Sequence, residues 1–127
     1  QFTFHLFDRP DRALNAYLVG EYTNEDRGRP VEDVLGQVGF EGTALYGEDI
    51  LHRIKEALIG DPPLDQSKML VTYMGPKTAG EMLDLALGHS AHHLKQLYEY
   101  MSIIGIEPIS PLGQDDFEGI AVPTELF

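Results

Sequence analysis

Apolar residues recur three and four positions apart in three long stretches of the chain, and Gly and Pro break the pattern between them. The first stretch covers roughly residues 1–19. Phe2, Phe4, Leu6 and Phe7 open it, and Ala13, Leu14, Ala16, Tyr17 and Leu18 continue it. Pro10 lacks the backbone N–H that a helix interior uses, so the helix is expected to kink or restart there, with Asp8 capping the restarted part. Gly20 is the expected stop. The second stretch runs from about Thr43 to Ile59. Ile50, Leu51, Ile54, Ala57 and Leu58 form its apolar stripe, opposite Glu48, Asp49, His52, Lys55 and Glu56, and Gly60-Asp61-Pro62-Pro63 ends it. The third opens on Thr78 and Glu81, spaced as a capping box, and should continue to Ile104 and stop at Gly105, about 26 residues or ~39 Å in all. A short helix is expected from about Pro30 to Val38, where proline suits the first turn and Glu32 and Asp33 suit the positive helix end. Residues 64–76 read as a connection, briefly extended over Met69–Met74, and residues 105–127 as an irregular tail along the bundle. The pattern predicts one all-α domain over residues 1–127.

Composition narrows what such a domain can do. The chain has 127 residues, enough for one hydrophobic core, and its 43% hydrophobic content argues against disorder. Nine basic against 21 acidic residues give a formal charge of −12, which repels phosphate backbones and anionic lipid surfaces. Nucleic-acid and membrane partners are therefore not expected, and the acidic residues read as a solvated exterior. No apolar run approaches the roughly 20 residues that span a bilayer. The chain has no cysteine, which removes disulfides, thiolate ligands and a cysteine nucleophile, and fits a reducing, cytoplasmic setting. Any thiol chemistry would need a thiol from outside. The chain begins at Gln1 within an apolar stretch, which reads as the product of a truncation.

The candidate chemistry lies in five histidines. Positions i and i+4 of a helix share a face, so His89 and His93 point the same way and can share one ion. Their face reads Met82, Ala86, His89, His93, Leu97, Tyr100, Ile104, an apolar stripe expected to face the bundle interior. Two readings fit such a pair: metal ligands, or core histidines bonded to carbonyls or carboxylates. No Glu follows His89, so the zinc-protease H-E-x-x-H pattern is absent. His92 shares a more polar face with Leu85, Gly88, Gln96 and Glu99, and reads as supporting or solvent-facing. His52 reads as a surface residue. His5, within Phe2–Phe7, is either a satisfied core histidine or, if the first helix packs beside the last, a third ligand. Tyr100 reads as a core tyrosine that can also line a pocket. No general base is identifiable.

The segment Leu87-Gly88-His89-Ser90-Ala91-His92-His93-Leu94-Lys95-Gln96-Leu97 resembles the fourth helix of the DinB-like superfamily, where two histidines four apart precede a Leu-basic-Gln-Leu run. Gly105-Ile106-Glu107-Pro108 and Asp116-Phe117-Glu118-Gly119 are similar to tails of one bacterial subgroup, and His5-Leu6-Phe7 followed by Pro10 to the end of the family's second helix. The resemblance spans most of the chain. It implies a DinB/YfiT-like four-helix bundle whose first helix has no counterpart here, with His5, His89 and His93 as metal ligands. His92 departs from the polar residue that relatives often carry there. A bundle short of one helix exposes apolar surface, so a homodimer is expected.

Characterised members of the superfamily look like metal-dependent transferases or isomerases that use low-molecular-weight thiols such as bacillithiol or mycothiol. The resemblance therefore implies a divalent transition metal (Zn, Ni, Fe, Mn and Co all accept imidazole), a thiol cosubstrate, a small-molecule substrate and thiol S-transfer. A three-His cation would lower the pKa of such a thiol. Metal-dependent hydrolysis, and a non-catalytic module that dimerises or binds a ligand, are the alternatives.

Overall fold

The computed structural model describes residues 2–23, 25 and 39–121; the helix expected at Pro30–Val38 lies outside them. Three long helices dominate: α1 (Phe2–Val19), α2 (Phe40–Ile59) and α3 (Ala79–Ile103). They accompany a small sheet of β1 (Glu21–Tyr22), β2 (Met69–Thr72) and β3 (Lys77–Thr78). The mostly helical expectation holds, and the sheet is an addition to it. Strand order is β1-β2-β3. β1 lies parallel to β2, pairing Glu21 with Val71 and Tyr22 with Thr72, and β2 lies antiparallel to β3, pairing Met69 with Thr78.

The sheet follows from turn chemistry at its ends. Gly20 takes φ +95°, which swings the chain from α1 directly into β1. Gly75, at φ +97°, turns β2 back into β3, and the Thr72 hydroxyl closes that turn by donating to the Gly75 carbonyl at 2.6 Å. Leu70 and Thr72 alternate inward while Met69 and Val71 face out. β3 then feeds α3 through the expected capping box: Thr78 Oγ1 accepts from Glu81 N–H, and the Glu81 carboxylate accepts from Thr78 N–H. The core forms at this end of the molecule, where Leu14, Ala16, Tyr22, Leu64, Leu70, Ala79 and Met82 are buried together.

α1 runs through Pro10 as one helix, so of the kink or restart expected there the restart does not occur. Proline at position 10 deprives the Leu6 carbonyl of its intrahelical donor. Ser90 of α3 replaces that donor, its hydroxyl reaching Leu6 O at 2.7 Å. The same bond fixes the register of α1 against α3, with Leu6 beside His5 and Ser90 beside His89. Asp8 is consequently no helix cap; it is buried, with Arg12 Nε 2.7 Å from its carboxylate. Ser90→Ala should leave the Leu6 carbonyl without a donor and cost about 1–3 kcal/mol, read as a lower midpoint in urea. An unchanged midpoint would show that the hydroxyl is dispensable to the crossing.

α2 is tied to α1 by Asp11, a second acid that is buried instead of solvated. Its carboxylate accepts from Tyr46 Oη at 2.7 Å, Arg53 Nη1 at 2.9 Å and Asn15 Nδ2 at 3.2 Å. Gly47 permits the close approach, because a Cβ there would lie 2.7 Å from the Phe7 ring. The three helices and the tail border an apolar groove of about 580 Å³, walled by Phe7, Ile50, Leu51, Leu87, Leu94 and Phe117. Phe117 is buried in a 3₁₀ turn, Gln114–Phe117, with Lys95 Nζ 5.0 Å from its ring centre. The apolar stripes of the helices end short of their C-termini: Leu18, Tyr100 and Ile104 are exposed, Tyr100 by 62%. Tyr100 is therefore not a core residue.

Candidate metal centre

His89 and His93 project from adjacent turns of α3, and the register set by Ser90 and Leu6 brings His5 of α1 against them. His89 Nε2 lies 3.0 Å from His5 Nε2 and 3.1 Å from His93 Nε2. The rings meet edge to face, with centroids 4.4–5.0 Å apart. One nitrogen from each histidine falls within 4.8 Å of the others, the only such ligand cluster among the described residues. All three histidines are half-buried.

Three nitrogens so close raise a question of protons. Gln96, one turn beyond His93, places Oε1 2.7 Å from His93 Nδ1. As an acceptor, that oxygen draws the proton to Nδ1 and leaves a lone pair on His93 Nε2. His89 Nε2 then has two states. As a donor to His93 it cannot also accept from His5; as an acceptor from His5 it sets its lone pair against that of His93. One of the two short contacts lacks a proton in either case. A cation among the three nitrogens resolves both contacts. Metal–imidazole bonds of 2.0–2.1 Å in a tetrahedral arrangement separate donor atoms by ~3.3 Å, within a few tenths of an ångström of the spacings observed. The donor set therefore fits a transition metal.

Electrostatics point the same way. Burial, followed by the charges of Arg9 and His93, lowers the pKa of His89 from 6.5 to about 4. Burial and Arg9 lower that of His5 as well. Both rings are thus held neutral, the form that ligates. For metal-free protein this carries a consequence with a definite sign. Between pH 6.5 and about 4 the unfolded chain protonates at His89 while the folded chain resists, so the unfolded state binds more protons. Stability should fall as pH drops through that window, measured as the melting temperature of chelator-treated protein. A melting temperature that is level or rises over the interval would contradict this assignment.

His52 is exposed, as expected. His92 is not solvent-facing: it is buried, its ring 5.4 Å from that of His93. Its face is covered because the tail crosses it, with the Ala121 carbonyl so close to Gly88 that a Cβ there would lie 2.5 Å away. Three residues near the centre escaped the sequence reading. Gln96 had a local signal in its i+3 spacing from His93. Ser90 and Arg9 had none, since their roles arise from the α1–α3 crossing. No helix among the described residues is long and apolar enough to cross a membrane. Comparison with protein-family models, curated proteins and solved structures yields no match.

Proposed function

We propose that this chain is a DinB-like metalloprotein in which His5, His89 and His93 hold one divalent transition metal, and that it catalyses thiol S-transfer with an external low-molecular-weight thiol. The observation that carries the metal is the convergence of three Nε2 atoms whose short contacts cannot all be protonated. Three neutral imidazoles add no negative charge, so a bound ion would keep its full Lewis acidity and favour the thiolate form of a thiol beside it. The protein's own part is to orient and to exclude protons. Gln96 fixes the His93 tautomer, burial keeps His89 and His5 neutral, and Ser90 holds α1 in register. With no cysteine in the chain, the nucleophilic sulfur comes from the cosubstrate.

Untagged protein should contain close to one transition metal per chain by elemental analysis. Metal-loaded protein incubated with a chromogenic electrophile should then show turnover that depends on one member of a panel of small thiols. Protein that binds no metal would sink the reading. Protein that binds metal but turns over with no thiol in the panel would reduce it to a metal-binding helical module.

A further inference from the structure

A second cavity adjoins the histidine cluster. It has a volume of about 170 Å³, and Arg9, Tyr22, Tyr73, Met74, Met82 and His89 contribute to its walls. Arg9 lies one turn beyond His5 on α1, so the same helix face that delivers a histidine to the cluster delivers a guanidinium to the neighbouring cavity.

That guanidinium is incompletely satisfied. Nη1 donates to Tyr22 Oη at 3.1 Å, while Nε is buried without a hydrogen-bond partner. No carboxylate among the described residues pairs with it: Asp8 pairs with Arg12, and Asp11 with Arg53. In a chain of net charge −12, an arginine that faces a cavity with no acid against it is conspicuous. The guanidinium charge, with no acid paired to it, favours an anion in the cavity that Arg9 lines. Tyr22 accepts from Arg9, which leaves its own hydroxyl proton to donate. Apart from His89, the rest of the wall is mainly apolar, with Met74, Met82, Leu85 and the tyrosine rings among its parts.

We propose that this cavity binds a small monocarboxylic acid, its carboxylate on Arg9 and Tyr22 and its short apolar body against Met74 and Met82, next to the histidine centre. Guanidinium geometry matches a carboxylate through paired N–H donors. The cavity is smaller than the roughly 300–1,000 Å³ of sites for drug-sized ligands, which restricts the bound group to a few heavy atoms. As a statement about substrate, the proposal rests on the metal-centre reading, because it places the acid beside the group that would react. The anion site itself can be tested without metal.

Chelator-treated protein is titrated calorimetrically with propionate, propionamide and inorganic phosphate. Propionate should bind at least tenfold more tightly than propionamide and more tightly than phosphate. R9Q should abolish the preference for propionate over propionamide. Met74→Trp, at an exposed turn residue that lines the cavity, should fill it and block propionate and propionamide with Arg9 intact. Circular dichroism verifies that each variant is folded, and Met74→Trp decides the matter if R9Q is not. The proposal is overturned if wild type shows no propionate preference, if phosphate binds more tightly, if R9Q keeps the preference, or if Met74→Trp binds propionate as wild type does. Wild type that binds propionate but no zinc would refute the metal centre and leave the anion site standing; zinc without propionate preference would do the reverse.

Discussion

His89→Ala should hold metal at least about 100-fold more weakly than the parent chain, and come through dialysis with little or none bound. His89 occupies the middle of the cluster, its Nε2 within 3.1 Å of each neighbour, so its removal leaves two imidazoles on different helices. His5→Ala should behave alike, whereas His52→Ala should retain the full metal content. The metal-free variant offers a second, opposite sign. Because one of the two short nitrogen contacts lacks a proton without a cation, deleting the central ring relieves that conflict. Metal-free His89→Ala should therefore melt no lower than metal-free wild type, although it loses all stabilisation by added zinc. Elemental analysis and melting curves with and without zinc read both effects. A variant that keeps one metal per chain would remove His89 from the ligand set.

Asp11→Ala should cost about 3 kcal/mol, the range expected when a buried charged acceptor is taken from several donors. The carboxylate gathers a phenol, a guanidinium and an amide from two helices. Without it, Tyr46 Oη loses its 2.7 Å acceptor and Arg53 loses its tightest ion pair, keeping Asp49 at 3.7 Å. Asp11→Asn keeps an acceptor oxygen and should recover part of the loss. Urea unfolding followed by circular dichroism measures the difference. A shift below 0.5 kcal/mol, roughly the size of surface substitutions, would show that solvent replaces the lost contacts. Zinc stoichiometry should not change, since Asp11 faces α2 and the histidine cluster lies between α1 and α3.

The local parts of this structure were legible in the sequence. The α3 start at Thr78 and Glu81 and the α1 and α2 stops at Gly20 and Gly60 are set by neighbours within four residues, and each falls where the pattern places it. The shared face of His89 and His93 is likewise a property of helical spacing. What failed was whatever depends on a distant segment. Pro10 was expected to kink or restart α1 because its own sequence offers the Leu6 carbonyl no donor; α1 does not restart, and that donor comes from residue 90. Asp8 reads as a helix cap, and Asp11 as one of the solvated acids, until α1 is placed against its neighbours. His92 lies on a face that reads as polar, and it is buried because the tail crosses Gly88. His5 had two readings, core residue or third ligand, and only the family resemblance chose between them, since no spacing in the chain links residue 5 to residue 89.

That long separation has a thermodynamic meaning. Residues 5 and 89 are 84 positions apart, so the unfolded chain offers at best the His89–His93 pair, and an ion held by all three histidines would select the folded form almost completely. Free metal at 1,000 times its dissociation constant would add about 4 kcal/mol to stability, comparable to a covalent cross-link closing a loop of that length. Such a clasp is reversible. A chelator would act on this protein as a mild denaturant, and the concentration of available metal would set how long the folded chain survives a protease.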